Sequence, residues 1–250
     1  AVAAYTDLIA AATAQFSFLR GLMQDLWKRI GWTAVYAVAM AYVEAAVVVY
    51  LRGLLNVTNA TARLDGYVNV EIGREAATLA MLAAVGWLAG RTWRARAAYV
   101  AFAFGVWDIG YYAWLKVLIN WPESFLSPDV LFLIPVRWTG PVLAPVLIAV
   151  WMCLTAVLAL RRLERGQALG FTPLRVATVL LGGLLALGVF MSDALLALIA
   201  GQADWNLLPA GDFRWGWFLP AFFLMTVPAL AAVWPDTIKS NNSMEVQHGN

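Results

Sequence analysis

Apolar residues occur along this chain in long runs, and short stretches rich in charged residues, glycine or proline separate the runs. Runs near 20 residues without strict alternation are typical of membrane-spanning helices. Lipid offers no water to the backbone, and a helix satisfies its own amide groups. The pattern predicts an all-α integral membrane bundle of about six transmembrane helices, with spans over 33–51, 75–88, 97–118, 142–160, 176–200 and 217–233.

The residues outside these spans suggest how the chain is divided. Residues 1–32 mix Ala, Phe and Leu with charged side chains, which is typical of an amphipathic helix lying in the membrane interface. We expect this interfacial segment, then a six-helix transmembrane domain over 33–235, then a polar C-terminal tail over 236–250. After the third span, residues 130–136 are apolar but too short to cross a membrane, and prolines bracket them. We expect a short re-entrant or interfacial element there.

Lysine and arginine are unevenly distributed between the two ends of the predicted spans. Six spans put both termini on one side, and eleven of the 17 basic residues fall on that side, with clusters at 91–96 and 161–165. Cytoplasmic loops of membrane proteins carry an excess of Lys and Arg. We therefore expect both termini in the cytoplasm, and function on the opposite, outer face, where the connections are longer.

Composition limits the chemistry that the chain can perform. Hydrophobic residues make up 62% of the 250 residues and charged residues 13%, and the formal charge of +2 includes no basic patch suited to nucleic acid. The chain has one cysteine, Cys153, and one histidine, His248. Haem, copper and iron–sulfur centres ligated by this chain alone are therefore not expected, and the cofactor stays unknown. No hydrolase, metalloprotease or nucleotide-binding motif is present, so we assign no catalytic residue and no metal ligand.

Carboxylates inside the apolar runs are the strongest candidates for a site, because an ionised group is costly in lipid. On the third span, Asp108, Tyr112 and Lys116 are spaced by four residues, so a helix places them on one stripe. The candidate ligand-binding or proton-handling residues are Glu44, Glu75, Asp108, Tyr111, Tyr112 and Asp193, and the candidate charge partners are Arg52, Arg74, Lys116, Arg137 and Arg214.

Two interpretations of these charges stay open. Opposite charges that pair inside the bundle stabilise it and fix the register of its helices. Alternatively, they line one outward-facing polar pocket, with Asp108 and Glu44 as its protonatable groups.

Three functions are compatible with these interpretations. The first is a polytopic inner-membrane protein whose pocket binds or moves a small molecule, a lipid or a proton. The second is a non-catalytic accessory subunit of a larger, energy-transducing membrane complex. The third is a membrane-embedded enzyme that modifies a lipid or a quinone without histidine. The expected partners are membrane lipid and, for the second function, other membrane subunits.

One stretch resembles known sequences. It contains GVWDIGYYAWLK at 105–116, DVLFLIP at 129–135 and WTGPVLAP at 138–145. Over these roughly 40 residues, from Gly105 to Pro145, the chain resembles uncharacterised bacterial multi-pass membrane proteins. The resemblance implies a bacterial inner membrane, and it implies that the third span and the connection after it form one unit. It implies no activity and gives no residue a role.

Overall fold

A computed structural model describes residues 2–54, 68–202 and 211–234 of the chain. The predicted tail over 236–250 lies outside the described residues. Six helices and two strands follow one another in the order α1 (Val2–Leu54), α2 (Val68–Ala89), α3 (Trp93–Ile119), β1 (Pro128–Phe132), β2 (Trp138–Pro141), α4 (Leu143–Glu164), α5 (Pro173–Ile199) and α6 (Trp215–Val233).

All six helices are long and apolar enough to cross a membrane. The prediction of an all-α chain with six such helices is therefore confirmed, apart from the short β1–β2 hairpin. The second helix is longer than the predicted span over 75–88, since α2 begins at Val68 and ends at Ala89. Two helix starts follow ordinary capping chemistry: the side chains of Thr92 and Thr172 accept hydrogen bonds from the backbone of Ala95 and Arg175.

The first helix differs from the prediction of a separate interfacial segment. α1 is one continuous helix of 53 residues that contains both the predicted interfacial segment and the first span. No proline interrupts this stretch, so nothing in the backbone forces a break. At 1.5 Å per residue the helix is about 80 Å long, more than twice the roughly 30 Å of a hydrocarbon core.

The stretch predicted as a re-entrant element forms an antiparallel hairpin, in which Asp129 pairs with Gly140 and Val130 with Thr139. A register shift follows Val130, where β1 bulges. The loop before the hairpin is tied to the start of α4 by a hydrogen bond of 2.8 Å from the backbone nitrogen of Leu143 to the carbonyl oxygen of Phe125. A hairpin pairs its own backbone groups, which explains how this irregular segment fits against the helices.

Successive helices run in opposite directions. One end of the bundle therefore collects the C-terminal ends of α1, α3 and α5, the N-terminal ends of α2, α4 and α6, and the hairpin. We call it the hairpin end. α3 lies centrally and contacts α1, α2 and α4.

Small residues let α3 approach its neighbours closely. A Cβ atom at Gly105 would lie 2.6 Å from the carbonyl oxygen of Ala149 in α4, and one at Gly110 would lie 2.9 Å from the Cβ atom of Ala41 in α1. Ala41 is fully buried. Close packing of this kind replaces the hydrophobic effect as the source of helix association in lipid.

The contact between α5 and α6 gives a test of the packing. A Cβ atom at Gly182 would lie 2.5 Å from the backbone nitrogen of Met225, and a backbone cannot move aside as a side chain can. Gly182→Ala is expected to lower the free energy of unfolding in detergent by about 1–3 kcal/mol. The matched control is Gly188→Ala on the same helix, where the added Cβ meets nothing within 4 Å. Equal losses of stability in the two variants would contradict the packing described.

Candidate functional site at the hairpin end

A buried ion-pair network joins α1 to α2. The side chain of Glu44 is 7% exposed and forms an ion pair with Arg74, which also pairs with Glu71 three residues earlier. The hydroxyl of Thr78 donates a hydrogen bond of 3.1 Å to Glu44 Oε2. Both oxygens of Glu44 are therefore occupied, and the carboxylate acts as a link between the two helices.

Glu75 joins α2 to the hairpin. Its carboxylate is buried, and both of its oxygens accept the backbone N–H of Leu133 at 3.0 Å. Leu133 directly follows β1, where the chain turns toward β2. A carboxylate that accepts backbone N–H groups replaces ladder hydrogen bonds that the turn cannot make.

A second group of polar side chains lies between α3 and β1. The hydroxyl of Tyr112 donates a hydrogen bond of 3.2 Å to Asp129 Oδ2. Asp108 lies one helical turn before Tyr112 and within electrostatic range of Asp129. Its Oδ2 atom is shielded from solvent, and no donor reaches it within the described residues. Tyr111 lies within electrostatic range of both carboxylates.

Asp129 lies in the hairpin, outside the candidate spans, and only 5% of it is exposed. Burial raises the pKa of its carboxyl from 3.8 to about 7, although Arg52 and the hydrogen bond from Tyr112 both oppose the shift. The guanidinium of Arg52 stacks over the ring of Trp121 with 4.3 Å between its Cζ and the ring centroid. Asp129 therefore changes its charge near neutral pH.

A cavity of about 400 Å³ opens between the hairpin, the end of α5 and the start of α6. The carboxylate of Asp193 lies in its wall and accepts hydrogen bonds from Arg214 Nη1 at 2.7 Å, from the backbone nitrogen of Gly211 at 2.9 Å and from the hydroxyl of Thr139 at 3.5 Å. Arg214 Nη1 also donates to the hydroxyl of Ser192 at 2.5 Å. Cavities of this volume suit small ligands or lipid headgroups.

The candidate residues therefore fall into two groups and one outlier. Apart from Lys116, those on α1, α2 and α3 form the networks on the β1 side of the hairpin, whereas Asp193 and Arg214 line the cavity on the β2 side. Arg137, in the hairpin turn, is 6% exposed, and burial lowers its pKa while Asp193 opposes that shift. The outlier is Lys116, which is exposed and donates to the carbonyl oxygen of Pro122 at 2.9 Å, closing the end of α3.

Several polar groups of these networks were not among the candidates. Asp129 is the most important, and a span-based search passes over it because it lies in a connection. Thr78, Thr139 and Ser192 are uncharged, so a charged residue within an apolar run, the feature that marks the candidates, does not point to them. At the opposite end of the bundle, Arg29 and Glu164 form an ion pair of 2.7 Å between α1 and α4 that no regular spacing indicates.

No group of three or more His, Cys, Asp or Glu side chains that could hold a metal ion occurs within the described residues. Comparisons with protein-family models, with curated proteins and with solved structures give no match for this chain.

The network around Arg74 predicts a charge-dependent loss of stability. Arg74→Gln is expected to lower the free energy of unfolding in detergent by about 3–5 kcal/mol, because Glu44 is left buried without a cation. The double variant Arg74→Gln with Glu44→Gln is expected to regain most of this loss. Lys28→Gln is the control, since Lys28 pairs with Asp25 at 4.0 Å with side chains 74% and 58% exposed, and exposed pairs contribute little. A double variant no more stable than the single one would show that the buried charge is not the cause.

The raised pKa of Asp129 predicts a pH dependence of stability. The folded state keeps this proton while the unfolded state loses it, so the contribution of Asp129 falls as pH rises from about 4 to about 7 and is constant above. The shift from 3.8 to about 7 corresponds to at most about 4 kcal/mol. Asp129→Asn mimics the protonated form, so it is expected to match the wild type near pH 4 and to unfold at a higher temperature than the wild type near pH 8. A stability difference that does not change with pH would contradict the assignment.

Proposed function

We propose that this polytopic membrane protein binds a proton at the pair Asp108 and Asp129 and moves it between the hairpin end and the middle of the bundle. The observation that carries the proposal is Asp108 Oδ2, which is shielded from solvent and accepts no hydrogen bond within the described residues. A carboxylate oxygen in this position is costly while it is ionised, and protonation removes the cost.

The balance of charge around the pair supports one bound proton. Tyr112 gives a single hydrogen bond to Asp129, and Arg52 is a cation within electrostatic range of Asp129. A second negative charge, on Asp108, has no matching donor within the described residues and is repelled by the first. The two groups therefore titrate as a coupled pair. Among the described residues, the other titratable groups in electrostatic range of the pair are Arg52 on α1, Tyr111 and Tyr112 on α3, and Cys153 on α4.

The depths of the two carboxylates suit a relay. Asp129 lies in the hairpin, and Asp108 lies about 16 Å along the axis of α3 from its last residue, Ile119. Tyr112 follows Asp108 by one turn of α3, and its hydroxyl bonds to Asp129. A proton taken up at the hairpin has a polar group one helical turn further in to which it can pass.

We further propose a bacterial inner membrane, which the resemblance over Gly105 to Pro145 supports, and cytoplasmic termini, which the distribution of Lys and Arg supports. With this orientation the hairpin end faces outward, and Asp129 takes its proton from the outer side.

An accessory subunit of a larger membrane complex is the second candidate. The observation that favours it is the complete use of Glu44 and Glu75, whose oxygens are all occupied by Arg74, by Thr78 and by the hairpin backbone. Groups held in this way fix helix positions. In such a subunit, Asp108 is expected to keep one protonation state over the physiological range of pH.

Infrared difference spectroscopy during a pH titration separates the two candidates. Protein in lipid nanodiscs is expected to gain a carbonyl band from a protonated carboxyl group as pH falls through about 7, the value for Asp129, and Asp108→Asn and Asp129→Asn are each expected to remove or shift that band. Asp25→Asn is the matched control, because Asp25 is exposed on α1, and it is expected to leave the band in place. Folding of each variant is checked by circular dichroism. A band that persists unchanged in both site variants would overturn the proton-binding function.

A further inference from the structure

The cavity at the start of α6 is separate from the carboxylate pair. Some polar groups in its wall are bonded to other residues of the protein, and others are left for a ligand. The carboxylate of Asp193 is occupied by Arg214, by Gly211 and by Thr139. The hydroxyl of Ser192 donates to a carbonyl oxygen in its own helix at 2.7 Å. Asp193 and Ser192 therefore offer little to a ligand.

Two groups in the wall do have capacity to bind. Arg214 uses only Nη1 in its hydrogen bonds to other described residues, which leaves the N–H groups of Nη2 and Nε, and its side chain is 37% exposed. Asp212 is exposed and forms no ion pair or hydrogen bond with the rest of the described chain. Besides the Asp193 carboxylate, which Arg214 already holds, the cavity thus presents the remaining N–H groups of Arg214 and the carboxylate of Asp212, two residues apart.

Apolar side chains complete the wall. Phe213 and Trp215 flank Arg214, and Leu126, which lies in the loop before β1, is 63% exposed. A guanidinium next to aromatic rings is suited to a phosphate or carboxylate attached to an apolar group.

We propose that this cavity binds the headgroup of a zwitterionic amphiphile. The phosphate or carboxylate of the ligand bonds to Arg214, its ammonium group lies at Asp212, and its apolar portion contacts Phe213, Trp215 and Leu126. A ligand with only a negative charge is repelled by Asp212, and this repulsion gives the site its selectivity. A phospholipid with an amine headgroup and a soluble zwitterion share this chemistry.

Native mass spectrometry of the full chain in detergent tests the proposal. The probes are short-chain phosphatidylethanolamine, short-chain phosphatidylglycerol and water-soluble phosphoethanolamine. The wild type is expected to bind phosphatidylethanolamine roughly two- to five-fold more tightly than phosphatidylglycerol, the range for one partly solvated ion pair. Binding of phosphoethanolamine identifies a soluble ligand, and binding only of the lipid identifies a membrane source. Both results support the site.

Asp212→Lys is the decisive variant, because it is expected to reverse the preference in favour of phosphatidylglycerol, which a merely misfolded protein would not do. Arg214→Gln is expected to weaken binding of both lipids about ten-fold. Glu123→Lys is the matched control, an exposed charge reversal at the hairpin end outside the cavity wall, and it is expected to leave the preference unchanged. Equal binding of the two lipids by the wild type, or an unchanged preference in Asp212→Lys, would overturn the proposal.

Discussion

Compensation of buried charge is the constraint on which the rest of this bundle depends. In an apolar surrounding, an ionised side chain is tolerated only where another group neutralises it or bonds to it. Four carboxylates at the hairpin end each bond to a group on another element, so each of these contacts also fixes a helix or strand in place, whereas Glu71 pairs with Arg74 on its own helix. These contacts are Glu44 to Arg74 between α1 and α2, Glu75 to Leu133 between α2 and the hairpin, Asp129 to Tyr112 between the hairpin and α3, and Asp193 to Thr139 between α5 and β2.

The hairpin is the element that most of these contacts share. It receives polar groups from α2 and α3 on one side and from α5 on the other, and its apolar residues pack in both directions. Phe132 packs with the cluster around Trp107 in α3, and Leu131 packs with the cluster around Phe190 in α5. Leu131 and Phe132 thus contact different helices. Neighbouring residues of a strand can do this because successive side chains along an extended backbone point to opposite faces. The hairpin therefore separates the carboxylate pair from the cavity while it holds both.

The parts of this structure that could be predicted from the sequence are those that depend on whether lipid or water surrounds a segment. Apolar runs predict the six helices because hydropathy reports contact with lipid. The spacing of Asp108 and Tyr112 predicts their shared stripe because both lie on one helix. Contacts between elements depend on helix rotation and on connections, which no local pattern reports. This is why Asp129 was not among the candidates, and why Asp193 lies apart from the α1–α3 group although its sequence context is similar.

The uninterrupted length of α1 has a mechanical consequence. Leu26 is the first fully buried residue among those of α1 whose burial the structure describes, and residues 2–25, about 36 Å of helix, precede it. If the unbroken helix moves as one body, a tilt of about 10° about Leu26 moves its first residue by about 6 Å. Glu44 and Arg52 lie near the other end of the same helix. A displacement at the start of α1 is therefore expected to reach, along one unbroken helix, the side chains that hold the charge network together.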